Sequence, residues 1–191
     1  PSDGYALIQG NIFGSSAGYQ DIIDFTGGQR PGPIARFIGN VFTGGTDDCL
    51  DLDSADAYVA GNVFMHIHQD SDRESKSYAV TTGTEGGGAS ELTVVGNIFY
   101  DVDHPLLSKD GGFIYAAYNT MVGTHKDPAV GDATSAVISF WEDRSGQWPG
   151  VGAVLEGNII YDASRLWEDI DQMGTTTYLI ANHNVIYGVE E

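Results

Sequence analysis

Seven copies of a Gly-Asn-type motif, two-residue alternation of apolar side chains around them, and variable spacing between them predict an all-β solenoid. The expected form is a parallel β-helix of about seven coils. The clear copies are Gly10-Asn11-Ile12-Phe13, Gly39-Asn40-Val41-Phe42, Gly61-Asn62-Val63-Phe64, Gly96-Asn97-Ile98-Phe99 and Gly157-Asn158-Ile159-Ile160. Degenerate copies stand at Tyr118-Asn119-Thr120-Met121 and His183-Asn184-Val185-Ile186. Successive motif asparagines are 29, 22, 35, 22, 39 and 26 residues apart. The shortest interval is the repeat unit, and the longer ones add loop residues to it, as solenoids do when they keep a core and vary one connection.

Aligning the seven copies on the asparagine justifies each strand of the coil. Five residues before it stand Ala6, Ala35, Ala57, Leu92, Ile114, Ala153 and Leu179, and three before it stand Ile8, Phe37, Val59, Val94, Ala116, Leu155 and Ala181. These two columns are apolar throughout, while the column between Ile8 and Gly10 and its equivalents is mixed, so this segment is a strand with one buried face. Two residues after the asparagine come Phe13, Phe42, Phe64, Phe99, Met121, Ile160 and Ile186, the inward positions of a further strand. The asparagine lies at the corner between them. Its amide can donate and accept along the stack and tolerates the left-handed backbone of a sharp bend, so an Asn ladder is expected. A third kind of strand is read at Cys49–Asp53, where Leu50 and Leu52 point inward and Asp51 and Asp53 leave by the other face.

Composition narrows the function. With 27 acidic and 8 basic residues the formal charge is −19, which argues against nucleic acid or an anionic membrane and favours cations or neutral ligands. The 191 residues suit one domain, 1–191. The single cysteine, Cys49, permits no disulfide within the chain and reads as a small semi-buried thiol. There is no membrane-spanning apolar run, and Pro1-Ser-Asp-Gly has no signal-peptide character. The absence of amphipathic capping helices predicts a segment of a longer protein with further coils or domains.

The Gly-Asn-apolar-Phe signature resembles that of right-handed, single-stranded parallel β-helix proteins of the pectin-lyase-like superfamily, over essentially residues 5–188. The resemblance implies three strands per coil, with 57–61 in a second strand, Val63–Met65 in a third and Cys49–Asp53 in a first. The two largest insertions then fall in loops around 71–91 and 127–146, which wall the substrate cleft in family enzymes. It further implies a carbohydrate-active protein, extracellular or on a bacterial cell surface, with a polysaccharide as partner.

Four to eight residues after the asparagine the alignment exposes a polar series: Thr46-Asp47-Asp48, His66-Ile67-His68-Gln69-Asp70, Asp101-Val102-Asp103-His104 and His125-Lys126-Asp127. Equivalent positions on neighbouring coils lie about 4.8 Å apart, so these side chains are expected to converge. A metal site is expected among Asp48, His66, His68, Asp70, Asp103, His104 and His125. Calcium would prefer the carboxylates Asp47, Asp48, Asp70 and Asp103, and a transition metal the imidazoles. The alternative is that Asp and His cap exposed turns.

A groove combining Asp51, Asp53, Lys109, Trp141 and Arg144 has the chemistry of a polysaccharide site: a flat ring for a sugar face, carboxylates for metal or proton transfer, and cations for an acidic sugar. Asp47-Asp48-Cys49 resembles the paired aspartates of polygalacturonase-type β-helix hydrolases. That resemblance implies an acid and base at Asp47 and Asp48. The content of His68, His104, Lys109 and Arg144 suits a lyase better, with a metal or cation neutralising a uronate carboxylate while a Lys, Arg or His takes the adjacent proton. A non-catalytic glycan-binding or structural surface β-helix, stabilised by calcium, is the competing class.

Overall fold

The computed structural model describes residues 5–70, 76–84, 88–125, 134–141, 150–169 and 177–190, with the backbone alone at 150, 151 and 177. The chain is an all-β solenoid of three parallel sheets, and no helix occurs among the described residues. Sheet 1 stacks Ile23–Asp24, Leu50–Asp53, Tyr78–Gly83, His104–Lys109, Ile138–Trp141 and Trp167–Glu168. Sheet 2 stacks Leu7–Gln9, Ala35–Ile38, Ala57–Ala60, Glu91–Val95, Phe113–Ala117, Gly150–Glu156 and Thr177–Asn182. Sheet 3 stacks Ile12–Phe13, Val41–Phe42, Val63–Ile67, Ile98–Val102, Thr120–Thr124, Ile159–Ala163 and Val185–Val189. Each strand pairs with its equivalents in the coils before and after, which is the topology of a parallel β-helix.

The apolar columns of the sequence become rows of paired residues. In sheet 2, Phe37 pairs with Val59, Val59 with Val94 and Val94 with Ala116; in sheet 3, Phe42 pairs with Phe64 and Phe64 with Phe99. The rings of Phe13, Phe42, Phe64 and Phe99 stack with centroids 4.8, 4.7 and 5.0 Å apart, the strand spacing itself. Sheet 1 closes the core with Leu50, Val80, Leu106 and Ile138, all fully buried.

The Asn ladder runs unbroken from Asn11 to Asn184. Asn97 Nδ2 donates to Asn119 Oδ1 at 3.0 Å and to the Val59 carbonyl at 2.9 Å, while Asn97 Oδ1 accepts from the amide and Nδ2 of Asn62 at 2.8 and 2.9 Å. One detail differs from the sequence expectation. The left-handed residue of the corner is the one before the asparagine: Gly39 has φ 61°, Gly96 65°, Gly157 63°, and Tyr118 and His183 both 56°. Division of labour explains this: the bend falls on a residue that is glycine, the type with no Cβ penalty, in five of the seven copies, while the ladder needs a buried amide. A second left-handed row lies four residues after the asparagine, at His66, Asp101, Gly123, Asp162 and Gly188.

Candidate functional site

Two successive coils enter sheet 1 through the same pattern, Asp21-Ile22-Ile23-Asp24 and Asp48-Cys49-Leu50-Asp51. Ile23 pairs with Leu50 and Asp24 with Asp51, and the Asp48 amide donates to Asp21 Oδ1 at 3.2 Å. Strand alternation sends Leu50 and Leu52 into the core and Asp51 and Asp53 to the outer face. Lys109 comes from two coils further on, and its Nζ lies 3.5 Å from Asp51 Oδ1 and 3.5 Å from Asp53 Oδ1. Its backbone is held by Thr82, whose hydroxyl accepts from the Lys109 amide at 2.8 Å and donates to the Lys109 carbonyl at 3.1 Å. Gly83 makes room for the pair: a Cβ there would collide with the Asp53 carboxylate and approach Lys109 Cε to 2.9 Å. Trp141 is paired with Lys109 on the next strand, and about half of it is exposed.

Burial and mutual repulsion set the protonation of this face. Burial pushes the Asp51 carboxyl to about 7; Lys109 pulls it down, and Asp53 and Asp21 push it up. Burial, with Asp51, Asp47 and Asp21 adding to it against Lys109, raises Asp48 well above the usual carboxylate range. Burial alone would lower Lys109, but Asp51, Asp53 and Asp48 outweigh it and raise it. Asp51 therefore exchanges a proton near neutrality beside an ammonium that stays charged.

The histidines form separate inter-coil pairs. His66 Nδ1 lies 2.7 Å from Asp101 Oδ2, and His68 contacts Asp103 Oδ1 through Nδ1 at 2.7 Å and Asp101 Oδ1 through Nε2 at 3.3 Å. The hydrogen bond to buried Asp103 raises His68 to about 9; burial opposes this, and the charges of Asp103 and Asp101 add to it. His125 bonds Asp162 at 3.0 Å and Ser164 at 3.1 Å. His104 heads a sheet 1 strand, fully buried against Tyr78, with Nδ1 3.2 Å from the Ser77 carbonyl and Nε2 3.1 Å from Glu168 Oε2. Burial pushes Glu168 up, but hydrogen bonds from His104 and Lys76 prevail and hold it at about 2. Lys76 Nζ lies 2.8 Å from the other Glu168 oxygen.

The expected convergence is thus divided among several places. His66, His68 and Asp103 come together with Asp101, while His104 and His125 each join a different coil pair. Asp70 is half-buried at the end of a described segment, and Asp47 is buried next to Asp48. Arg144 lies outside the described residues. Among the described residues, one set of three has ligand atoms all within 4.8 Å of one another: Asp21, Asp48 and Asp51. Asp21 and Glu168 were not singled out from the sequence, and Asp101 stood in the polar series but outside the expected metal ligands. The repeated Asp-x-x-Asp at 21–24 and 48–51 was the signal that could have found Asp21. Compared with family models, curated proteins and solved structures, the chain matches none.

Proposed function

We propose that this chain is a carbohydrate-active β-helix of the pectin-lyase-like kind, acting outside the cell or at its surface on an acidic polysaccharide by a lyase-like route with a divalent cation as cofactor. The observation that carries the reading is the adjacency, on sheet 1, of Asp51, Asp53, the charged Lys109 and the exposed ring of Trp141. In a β-elimination the proton beside a uronate carboxylate is removed, a carbon-carbon double bond forms, and the bond to the glycosidic oxygen breaks with its electron pair leaving on that oxygen. Removal of that proton requires the uronate charge to be neutralised. A divalent cation on this face would supply the neutralising charge, and the Trp141 ring offers a face to the sugar. Lys109 can act as a base only when the charge of the carboxylates around it is offset; a divalent cation on the same face supplies that offset.

One observation favours a second reading. Asp51 at about 7 beside the raised Asp48 is the environment of a general acid, as in a glycoside hydrolase with two carboxyls. Incubation of the chain with uronic-acid polymers separates these readings. Unsaturated products that vanish in Lys109→Met support the lyase; reducing ends without unsaturation, lost in Asp51→Asn, support the hydrolase. Binding without turnover, unchanged in both variants, removes the enzymatic reading in favour of a glycan-binding module.

A further inference from the structure

We infer that Asp21, Asp48 and Asp51 form a Ca2+ site where the first two coils enter sheet 1. The three residues offer ligand atoms all within 4.8 Å of one another. Two oxygens facing each other across a calcium ion at about 2.4 Å stand about 4.8 Å apart, so the set is compact enough to share one ion. Acidic clusters are common on protein surfaces, but this one contains an atom that such a surface does not explain. Asp48 is 7% exposed, and its Oδ1 is buried without any hydrogen-bond partner. A buried carboxylate oxygen lacking a donor is costly, and this one belongs to a carboxylate of the set of three. Lys109 gives it no hydrogen bond, because the ammonium lies against Asp51 and Asp53.

The cradle is held by backbone. The Asp48 amide fixes Asp21 Oδ1 at 3.2 Å, and the amides of Ile22 and Ile23 donate to the carbonyls of Asp48 and Cys49, both at 3.0 Å. Carboxylates delivered by paired strands of adjacent coils are pre-positioned, and the ion joins one coil to the next. An all-oxygen donor set with no imidazole or thiolate ligand selects a hard cation, and Mg2+, which dehydrates reluctantly and demands near-ideal octahedral geometry, is the poorer occupant of a site built from three carboxylates. Asp47, beside Asp48, adds to the negative field. None of this requires that the chain turn over a polysaccharide.

The test is titration of the full, chelator-treated chain with CaCl2 by calorimetry, with thermal melts in calcium and in chelator. A single saturable Ca2+ and a higher melting temperature in calcium are expected, with weaker binding of Mg2+. Asp48→Asn and Asp21→Asn should each weaken Ca2+ roughly tenfold or more. Asp48→Asn should melt no lower than wild type in chelator, because the amide keeps the shape of the carboxyl and carries no charge into the buried position. Asp162→Asn, on the far coils, should bind as wild type. Absence of saturable binding to the wild type, or undiminished affinity in Asp48→Asn and Asp21→Asn, overturns the site. Calcium binding without turnover leaves the site and refutes the enzyme; turnover without calcium binding does the reverse.

Discussion

At the scale of single residues, His68 shows how a side chain acquires its behaviour from the coil above. Its Nδ1 meets Asp103 Oδ1, and that carboxylate also accepts the Gln69 amide at 2.8 Å through its other oxygen. The folded pKa of about 9 lies above the unfolded value near 6.5, so the stabilisation is fully present below about pH 6.5 and is lost as pH rises through 9. Denaturant midpoints measured across that window should fall for the wild type. The decline should be much shallower in Asp103→Asn, which keeps the hydrogen-bonding shape and removes the charge that holds the proton. An equal decline in both would show that His68 is not its source.

At the scale of the element, the asparagine ladder links sheet 2 to sheet 3 in every coil. Interior members are buried and bonded on both sides, whereas Asn11, at one end, is exposed. Replacing Asn97 by Ala deprives the Asn62 amide and side chain, the Val59 carbonyl and Asn119 of partners at once. With each stranded buried group costing about 1–3 kcal/mol, the loss should reach roughly 3 kcal/mol or more. Asn11→Ala exposes its partners to water and should cost below about 1 kcal/mol. Urea unfolding of the two variants checks the contrast, and similar losses would mean that the ladder is not the main bond between the sheets.

At the scale of the whole molecule, a charge of −19 on 191 residues opposes compaction. Asp21, Asp24, Asp51 and Asp53 add to it on sheet 1 and its entry turns. Screening weakens repulsion between exposed charges separated by more than about 10 Å at 0.1 M salt. Melting temperature in chelator should therefore rise from low-salt to moderate-salt buffer, and the same ionic strength supplied as sodium chloride should not reproduce a calcium-specific increase. A salt-independent melting temperature would place the excess charge too far apart to matter.

The sequence by itself determined the coil, because the core obeys a local rule. Columns at fixed offsets from each asparagine alternate with period two, and the distance from corner to core is the same in every repeat, so Phe42, Phe64 and Phe99 were legible as one row. The outward parity of Asp51 and Asp53 was legible for the same reason. Which polar groups meet was decided by tertiary structure. Loops of different length separate the asparagine corner from sheet 1: Asp21 follows Asn11 by ten residues and Asp48 follows Asn40 by eight, yet strand pairing sets them side by side. Counting from the asparagine instead grouped His66, His68, His104 and His125, of which His66 and His68 share Asp101 while His104 turns to Glu168 and His125 to Asp162. Only folding brings Lys109 across two coils to Asp51 and Asp53, and only burial leaves Asp48 Oδ1 without a donor.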